Sequence, residues 1–233
     1  MLKCLSVAGS DCSGGAGIQA DLKAFSANET FGMSVITSVV AENTTRVLSV
    51  FNVPVEEIQK QIDAVFEDIH VDAVKLGMLP TAEIISAVAD KLNEYKPSII
   101  VCDPVMVATS GDALSEGGTV STMREKLFPI VTLLTPNIPE AEAISGLEIK
   151  NENHMEKAAR IIMDMGVKNV LVKGGHLTGD AVDYLCTPEG VHKLVCKRVD
   201  SPNTHGTGCT LSSAITANLA HGMDTVSYTH LRA

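Results

Sequence analysis

The sequence predicts an α/β domain with a mostly parallel central sheet. Three observations carry that expectation. Short apolar runs alternate with amphipathic stretches of ten or more residues, the pattern of β-α-β units. Polar, glycine-rich clusters follow the apolar runs one after another. The 233 residues, 45% apolar and 20% charged, show no linker, repeat or low-complexity stretch, so they read as one domain.

The elements follow in order. Leu2 to Ala8 reads as a buried strand and Ala16 to Asn28 as a helix. Met33 to Ala41, rich in Val, Ile and Thr, reads as a strand. Pro54 opens a helix where its missing N–H costs nothing, and that helix runs to about Ile69. Ala73 to Leu76 is a strand, and Thr81 N-caps a helix to Tyr95. Ile99 to Cys102 is a strand ended by Asp103-Pro104, followed by a helix over Val120 to Leu127 and a strand over Val131 to Leu134. Two helices flank Gly146, and Val170 to Lys173 is a further strand. Val182 to Cys186 and Val191 to Val199 form an antiparallel pair around Pro188-Glu189-Gly190. Thr207 to His221 is the last helix.

Charge and composition exclude several roles. Eighteen Lys+Arg against 28 Asp+Glu leave a net charge of −10, so an anionic ligand needs a local positive site rather than a basic surface. Without Trp, and with 3% aromatics, the chain lacks the stacking platforms of single-strand nucleic-acid binders. No apolar segment is long enough to span a bilayer, and no signal peptide is visible. The six cysteines form no C-x-x-C pair, which leaves zinc and thioredoxin-like readings unsupported and points to a cytoplasmic protein with reduced thiols.

In an open α/β sheet, ligands bind outside the carboxyl ends of the strands, and there the polar clusters fall. The cluster Gly9 to Gly17 runs into a formal G-x-G-x-x-G/A match, Gly15 to Ala20. The loop is too long for a dinucleotide turn, and glycines that let backbone N–H groups meet a polar ligand explain it better. Asn203 to Cys209 opens directly into a helix, with Gly206 and Gly208 bracketing Thr207. Consecutive amides and the positive end of the helix dipole make an anion hole, and Cys209 in that first turn is expected to have a lowered thiol pKa. Asn137-Ile-Pro-Glu140 reads equally as a capping box or as a carboxylate that organises Mg²⁺ through waters. Lys173, ahead of Gly174-Gly175-His176, is either solvated or a point charge for a polyphosphate. Asp103 either ends a strand or faces the metal.

Together the clusters resemble the hydroxymethylpyrimidine/phosphomethylpyrimidine kinases of thiamine biosynthesis, members of the ribokinase superfamily. The resemblance rests on Gly9 to Lys23, Thr37 to Thr44, Lys75-Leu-Gly-Met78, Asp103 to Gly111, Thr135 to Glu142, Val172 to His176 and His205 to Thr210, all in register from Leu2 to about Gly222. It implies a three-layer α/β/α ribokinase-like fold and ATP- and Mg²⁺-dependent phosphorylation. The substrate would be 4-amino-5-hydroxymethyl-2-methylpyrimidine, taken to its monophosphate and then its diphosphate. By the same resemblance, Gly206, Thr207, Gly208 and Cys209 cradle the transferring phosphate, with Cys209 where sugar kinases of the superfamily carry an aspartate base. Lys173 neutralises phosphate charge. Asn137, Glu140, Lys173 and Thr207 serve ATP, and Asp103 and Glu140 serve the metal. Gly9, Asp11, Ala16, Gly17, Glu42, Met78 and Val105 line the pyrimidine site. A homodimer is common in the family.

Two departures stand out. The family's usual Gln before Asn43-Thr44 is Glu42 here. A carboxylate still accepts from the exocyclic amine, but it favours a protonated ring nitrogen or must itself be protonated to donate. Pyridoxine/pyridoxal kinase activity is therefore the runner-up. The chain also stops soon after the Cys209 helix. The expectation is a kinase domain over 1–226, cut short at its C-terminus, with an atypical tail over 227–233. A non-catalytic pyrimidine or nucleotide sensor and a nicotinamide-dependent oxidoreductase are the readings from other classes.

Overall fold

The computed structural model describes residues 1–106, 118–175, 181–199, 201 and 203–224. The parts of the glycine-rich clusters at 107–111, 176–180, 200 and 202, and the 227–233 tail, lie outside the described residues.

The chain alternates strand and helix as its patterning predicts: β1 (Lys3–Asp11), α1 (Gly17–Ala27), β2 (Phe31–Glu42), β3 (Val47–Asn52), α2 (Val55–Phe66), β4 (Ala73–Leu76), α3 (Ala82–Tyr95) and β5 (Ile100–Cys102). After residue 117 come α4 (Thr119–Thr122), β6 (Leu133–Leu134), α5 (Ile138–Ser145), α6 (Glu152–Asp164), β7 (Val170–Val172), β8 (Ala181–Thr187), β9 (Gly190–Cys196) and α7 (Thr207–Ala220). Among the described residues one sheet of nine strands runs β3-β2-β1-β4-β5-β6-β7-β8-β9. The six central strands are parallel, and β3, β8 and β9 pair antiparallel at the edges.

Alternation along the central strands assigns the two faces. Val74, Leu76, Ile100 and Cys102 join the large core that α2, α3, α5 and α6 cover. Ala73 and Val101 turn to the other face, where Phe25 of α1 and Ala217 and Ile215 of α7 cover them. This is the three-layer α/β/α architecture, and it sets α1 and α7 side by side.

Three elements differ from the sequence reading. Strand β3 is not marked by patterning: its residues are exposed or half-exposed, so no apolar face betrays it. It forms because the chain turns at Asn43, whose Oδ1 accepts from the Thr45 and Arg46 amides, and returns along β2. Pro54 is the N-cap of α2, one position before the helix proper. The helix expected over Val120 to Leu127 becomes α4, a π turn over Met123–Leu127 and a 3₁₀ turn over Phe128–Ile130, where Pro129 supplies no amide to continue the α ladder.

Candidate functional site

Each residue singled out by sequence sits at or just past the carboxyl end of a parallel strand, or at the start of the helix that follows. Gly9 and Asp11 end β1 and lead through Ala16 into Gly17 of α1; Glu42 ends β2; Met78 follows β4; Asp103 and Val105 follow β5. Asn137 and Glu140 open α5 after β6, Lys173 follows β7, and Gly206, Thr207, Gly208 and Cys209 open α7.

The first loop is organised by Asp11, buried at 1% exposure. Its carboxylate accepts from the Ser13 amide (2.7 Å), Ser13 Oγ (2.9 Å), and the Gly15 (3.0 Å) and Ala16 (2.8 Å) amides. A fifth contact comes from His205 Nε2 at 2.9 Å, which ties this loop to the turn before α7. Burial alone would raise the Asp11 carboxyl, but the bonds from His205, Ser13 and Ala16 outweigh it and hold it at about 2. The sequence places Asp11 among the residues lining the pyrimidine site; in this arrangement its oxygens are engaged by the loop itself. Sequence reasoning misses the part played by His205, because nothing local marks it: its partner lies 194 residues away.

The fall from 3.8 to about 2 corresponds to roughly 2 kcal/mol. A depressed carboxyl contributes its stability above its ordinary pKa and loses it as pH falls through the folded value. Asp11→Asn should therefore melt below the unaltered protein at pH 7. The gap should shrink between about pH 4 and pH 2. Thermal melts across that range check the sign.

Opposite this loop, α7 opens on Gly206 in a left-handed conformation, with the amides of Gly208 and Cys209 in its first turn. A Cβ at Gly208 would fall 3.3 Å from Asp103 Oδ2 and 3.4 Å from Lys173 Nζ. The helix start therefore lies directly against that ion pair. Lys173 Nζ donates to Asp103 Oδ1 at 2.8 Å, and Thr135 Oγ1 donates to the same oxygen at 3.1 Å. The Lys173 amide donates to the Pro136 carbonyl, which seats β7 beside the start of α5.

At that start lie Asn137 and Glu140, and the capping-box half of the choice is the one observed. The capping box is formed: Asn137 Oδ1 accepts from the Glu140 amide at 2.9 Å, and Glu140 Oε2 accepts from the Asn137 amide at 2.8 Å. Glu140 is also buried beside Asp103 and Lys173. Burial first, then the Asp103 charge, pushes its carboxyl up to about 7, with Lys173 opposing. A buried carboxyl that ionises reluctantly beside a second carboxylate is a pair that a divalent cation would relieve. Among the described residues no three His, Cys, Asp or Glu side chains cluster as a complete protein cage. Two carboxylates suit Mg²⁺, which keeps water and phosphate oxygens as its other ligands.

The thiol of Cys209 departs from expectation. A helix N-terminus lowers a thiol pKa, but here it is raised. Burial is the largest cause and the carboxylates of Asp21 and Asp103 add to it, against the Lys75 ammonium and the Gly17 amide, which lower it. Cys209 as a whole residue keeps part of its surface exposed. Glu42, half-buried, is also raised, by burial and by Asp11, with His205 opposing. Met78 Sδ lies 3.1 Å from where a Gly9 Cβ would be, so these two residues share one wall with Val40. The site thus offers an anion hole, a lysine, two carboxylates and a thiol facing a glycine-rich loop: parts suited to moving a phosphoryl group onto a small polar molecule.

The chain matches the family model described as phosphomethylpyrimidine kinase over residues 11–228. It is 52% identical over 219 residues to the thiamine biosynthesis bifunctional protein ThiED of Geobacter sulfurreducens, covering 94% of this chain and 45% of that protein. The chain thus spans less than half the length of that relative. It is 45% identical over 218 residues to the hydroxymethylpyrimidine/phosphomethylpyrimidine kinase of Escherichia coli, covering 93% of this chain and 82% of that one. Among solved structures, pyridoxal kinase of Bacillus subtilis in its ADP complex superposes with a TM-score of 0.91 at 40% identity, over 99% of this chain and 88% of that chain.

Proposed function

The chain belongs to the phosphomethylpyrimidine kinase family, and from that membership we propose that it transfers the γ-phosphoryl group of ATP to 4-amino-5-hydroxymethyl-2-methylpyrimidine and then to the resulting monophosphate. One observation supports this most directly: the first turn of α7 lies against the Asp103–Lys173 pair and faces the loop that Asp11 and His205 hold.

Each group has a role in that reading. The Gly208 and Cys209 amides, backed by the helix dipole, and Lys173 stabilise charge on the transferring phosphoryl oxygens. Cys209, as thiolate, accepts the proton of the substrate hydroxyl as its oxygen attacks phosphorus and ADP departs. Asp103 and Glu140 would hold Mg²⁺ on the ATP phosphates, where the ion supplies charge neutralisation. Asn137 orients Glu140 through the capping box, and Thr207 extends the phosphate cradle. Gly9, Ala16, Gly17, Glu42, Met78 and Val105 enclose the pyrimidine ring. Free cysteines support a cytoplasmic setting, and no helix among the described residues is long and apolar enough to cross a membrane.

Glu42 favours a second reading, pyridoxine/pyridoxal phosphorylation. With Mg²⁺–ATP, the pyrimidine should give mono- and then diphosphate, and faster than pyridoxine gives its phosphate. Faster pyridoxine turnover reverses the assignment. Glu42→Gln should lower KM for the pyrimidine several-fold, because an amide both donates to and accepts from the aminopyrimidine edge at any pH.

A homodimer built on β3 completes the proposal. Leu48, Val50 and Phe51 are exposed on an edge strand, with Val39 beside them on β2. Such a strand is normally covered. Light scattering should give twice the chain mass, and Phe51→Lys should return the monomer; a monomeric unaltered protein refutes the dimer.

A further inference from the structure

One motif residue takes no part in the chemistry above. Lys75 lies in β4 between Val74 and Leu76 and is 0% exposed. Its Nζ donates to both carboxylate oxygens of Asp21 on α1, each at 2.8 Å. Ser213 of α7 donates to one of those oxygens at 2.7 Å, and Ser6 of β1 donates to the other. Asp21, Ser6 and Ser213 are also 0% exposed. A buried carboxylate with every contact satisfied thus joins β1, β4, α1 and α7 at one point.

Fold stability alone does not call for such a pair. Burying two charges costs several kcal/mol of solvation, and well-packed apolar residues of the same volume often serve the fold as well or better. The neighbouring positions of β4 are apolar and fully buried. What the pair does have is a geometric relation to the site. Gly17 and Asp21 are one turn apart on α1, and Cys209 and Ser213 are one turn apart on α7. At the opening of α7, Gly206 packs against Gly15 of the loop before α1, where an added Cβ would fall 2.6 Å from the Gly15 carbon, and further along Asp21 accepts from Ser213. A packing contact and a hydrogen bond therefore hold α1 and its loop to α7, and Cys209 lies on the stretch of α7 between them. The Lys75 ammonium fixes that hydrogen bond from the sheet side.

We propose that Asp21, Lys75 and Ser213 are positioning residues for phosphoryl transfer, a buried strut that sets Cys209 and the opening of α7 against α1. The inference rests on the reading of Cys209 as the proton acceptor. A strut of this kind acts on the rate of the chemical step rather than on substrate capture, because a small misplacement of an acceptor is costly in kcat.

The test compares Ser213→Ala, which removes the α7 end of the Ser213–Asp21 hydrogen bond and leaves the ion pair in place, with Ser213→Thr, which keeps the hydroxyl. Four quantities are read: melting temperature, kcat, KM for both substrates, and the rate of Cys209 alkylation by iodoacetamide, located by peptide mass spectrometry. Ser213→Ala should melt close to the unaltered protein, lose roughly 10- to 100-fold in kcat and keep both KM values within about threefold. Its Cys209 should alkylate several-fold faster as the first turn of α7 loosens from α1. Ser213→Thr should restore both rates. The double variant Asp21→Leu/Lys75→Met, which removes the charge pair together, should reproduce the Ser213→Ala kinetics while remaining folded. A folded Ser213→Ala protein with unaltered kcat, or with unaltered Cys209 alkylation, overturns the strut. If the unaltered chain turns over neither pyrimidine nor pyridoxine, the kinase reading fails, and the alkylation comparison still decides the strut on its own.

Discussion

Cys209→Ala should lower kcat by about 10² to 10⁴, the range a positioned general base supplies, and leave KM for ATP and for the pyrimidine within about threefold. The split follows from where the side chain sits. The amides proposed to cradle phosphate belong to the backbone of α7 and survive truncation of the thiol. Lys173, Asp103 and Glu140 are held by Thr135, Pro136 and Asn137 and not by Cys209. Only the proposed acceptor of the hydroxyl proton disappears. The pH dependence adds a second signature. The Cys209 thiol is raised, so its thiolate is the minor form at neutral pH and grows as pH rises. The unaltered enzyme should therefore quicken on the alkaline side, and that limb should be absent from the variant. A variant with unaltered kcat, or with the same alkaline limb, removes Cys209 from the base role.

Gly206→Ala is expected to be the most damaging added methyl among the described glycines. The residue stands at φ +76°, a conformation that costs an L side chain about 1–2 kcal/mol. That alone is a modest loss. Collision costs more, for an added Cβ would run into the Gly15 carbonyl oxygen and fall 2.6 Å from its carbon. Backbone cannot swing aside as a side chain can, so either the Gly15 loop or the start of α7 must move. Destabilisation should reach about 4 kcal/mol or more, and kcat/KM should fall by at least about 100-fold, because both halves of the site separate. Gly146→Ala is the matched control. It has φ +72° and nothing within 4 Å of its would-be Cβ, so it carries the conformational cost without the collision. Melting temperatures and kinetics of the two variants side by side separate backbone strain from collision; equal losses would show that contact with Gly15 is unimportant.

Much of this architecture is legible in the chain, and the exceptions have physical causes. β4 is readable as an apolar run, and α3 as an amphipathic stretch behind an N-capping Thr81, because burial on a single face or on both imposes a local pattern. β3 is not, because an edge strand with both faces open has no pattern to impose. The glycine clusters are readable as strand ends facing one cleft, since glycine is placed by local backbone geometry. His205 and the Lys75–Asp21 pair are silent in function, because what they do is decided by partners 194 and 54 residues distant. The thiol of Cys209 goes the opposite way from its local rule: the helix start favours a thiolate, but burial with Asp21 and Asp103 nearby outweighs it.

The contact between Asp11 and His205 also bears on how the molecule comes into being. It closes a span of 194 residues, and it sits over a sheet whose central strands pair in parallel across intervening helices. Such long closures are entropically expensive and form late. During synthesis, the β1 loop leaves the ribosome long before the turn that completes it. Until then its acid has only the amides of its own loop and the Ser13 hydroxyl for company. The nascent chain can therefore acquire most of its sheet while remaining catalytically inert, and activity should arrive in one step, with the docking of α7.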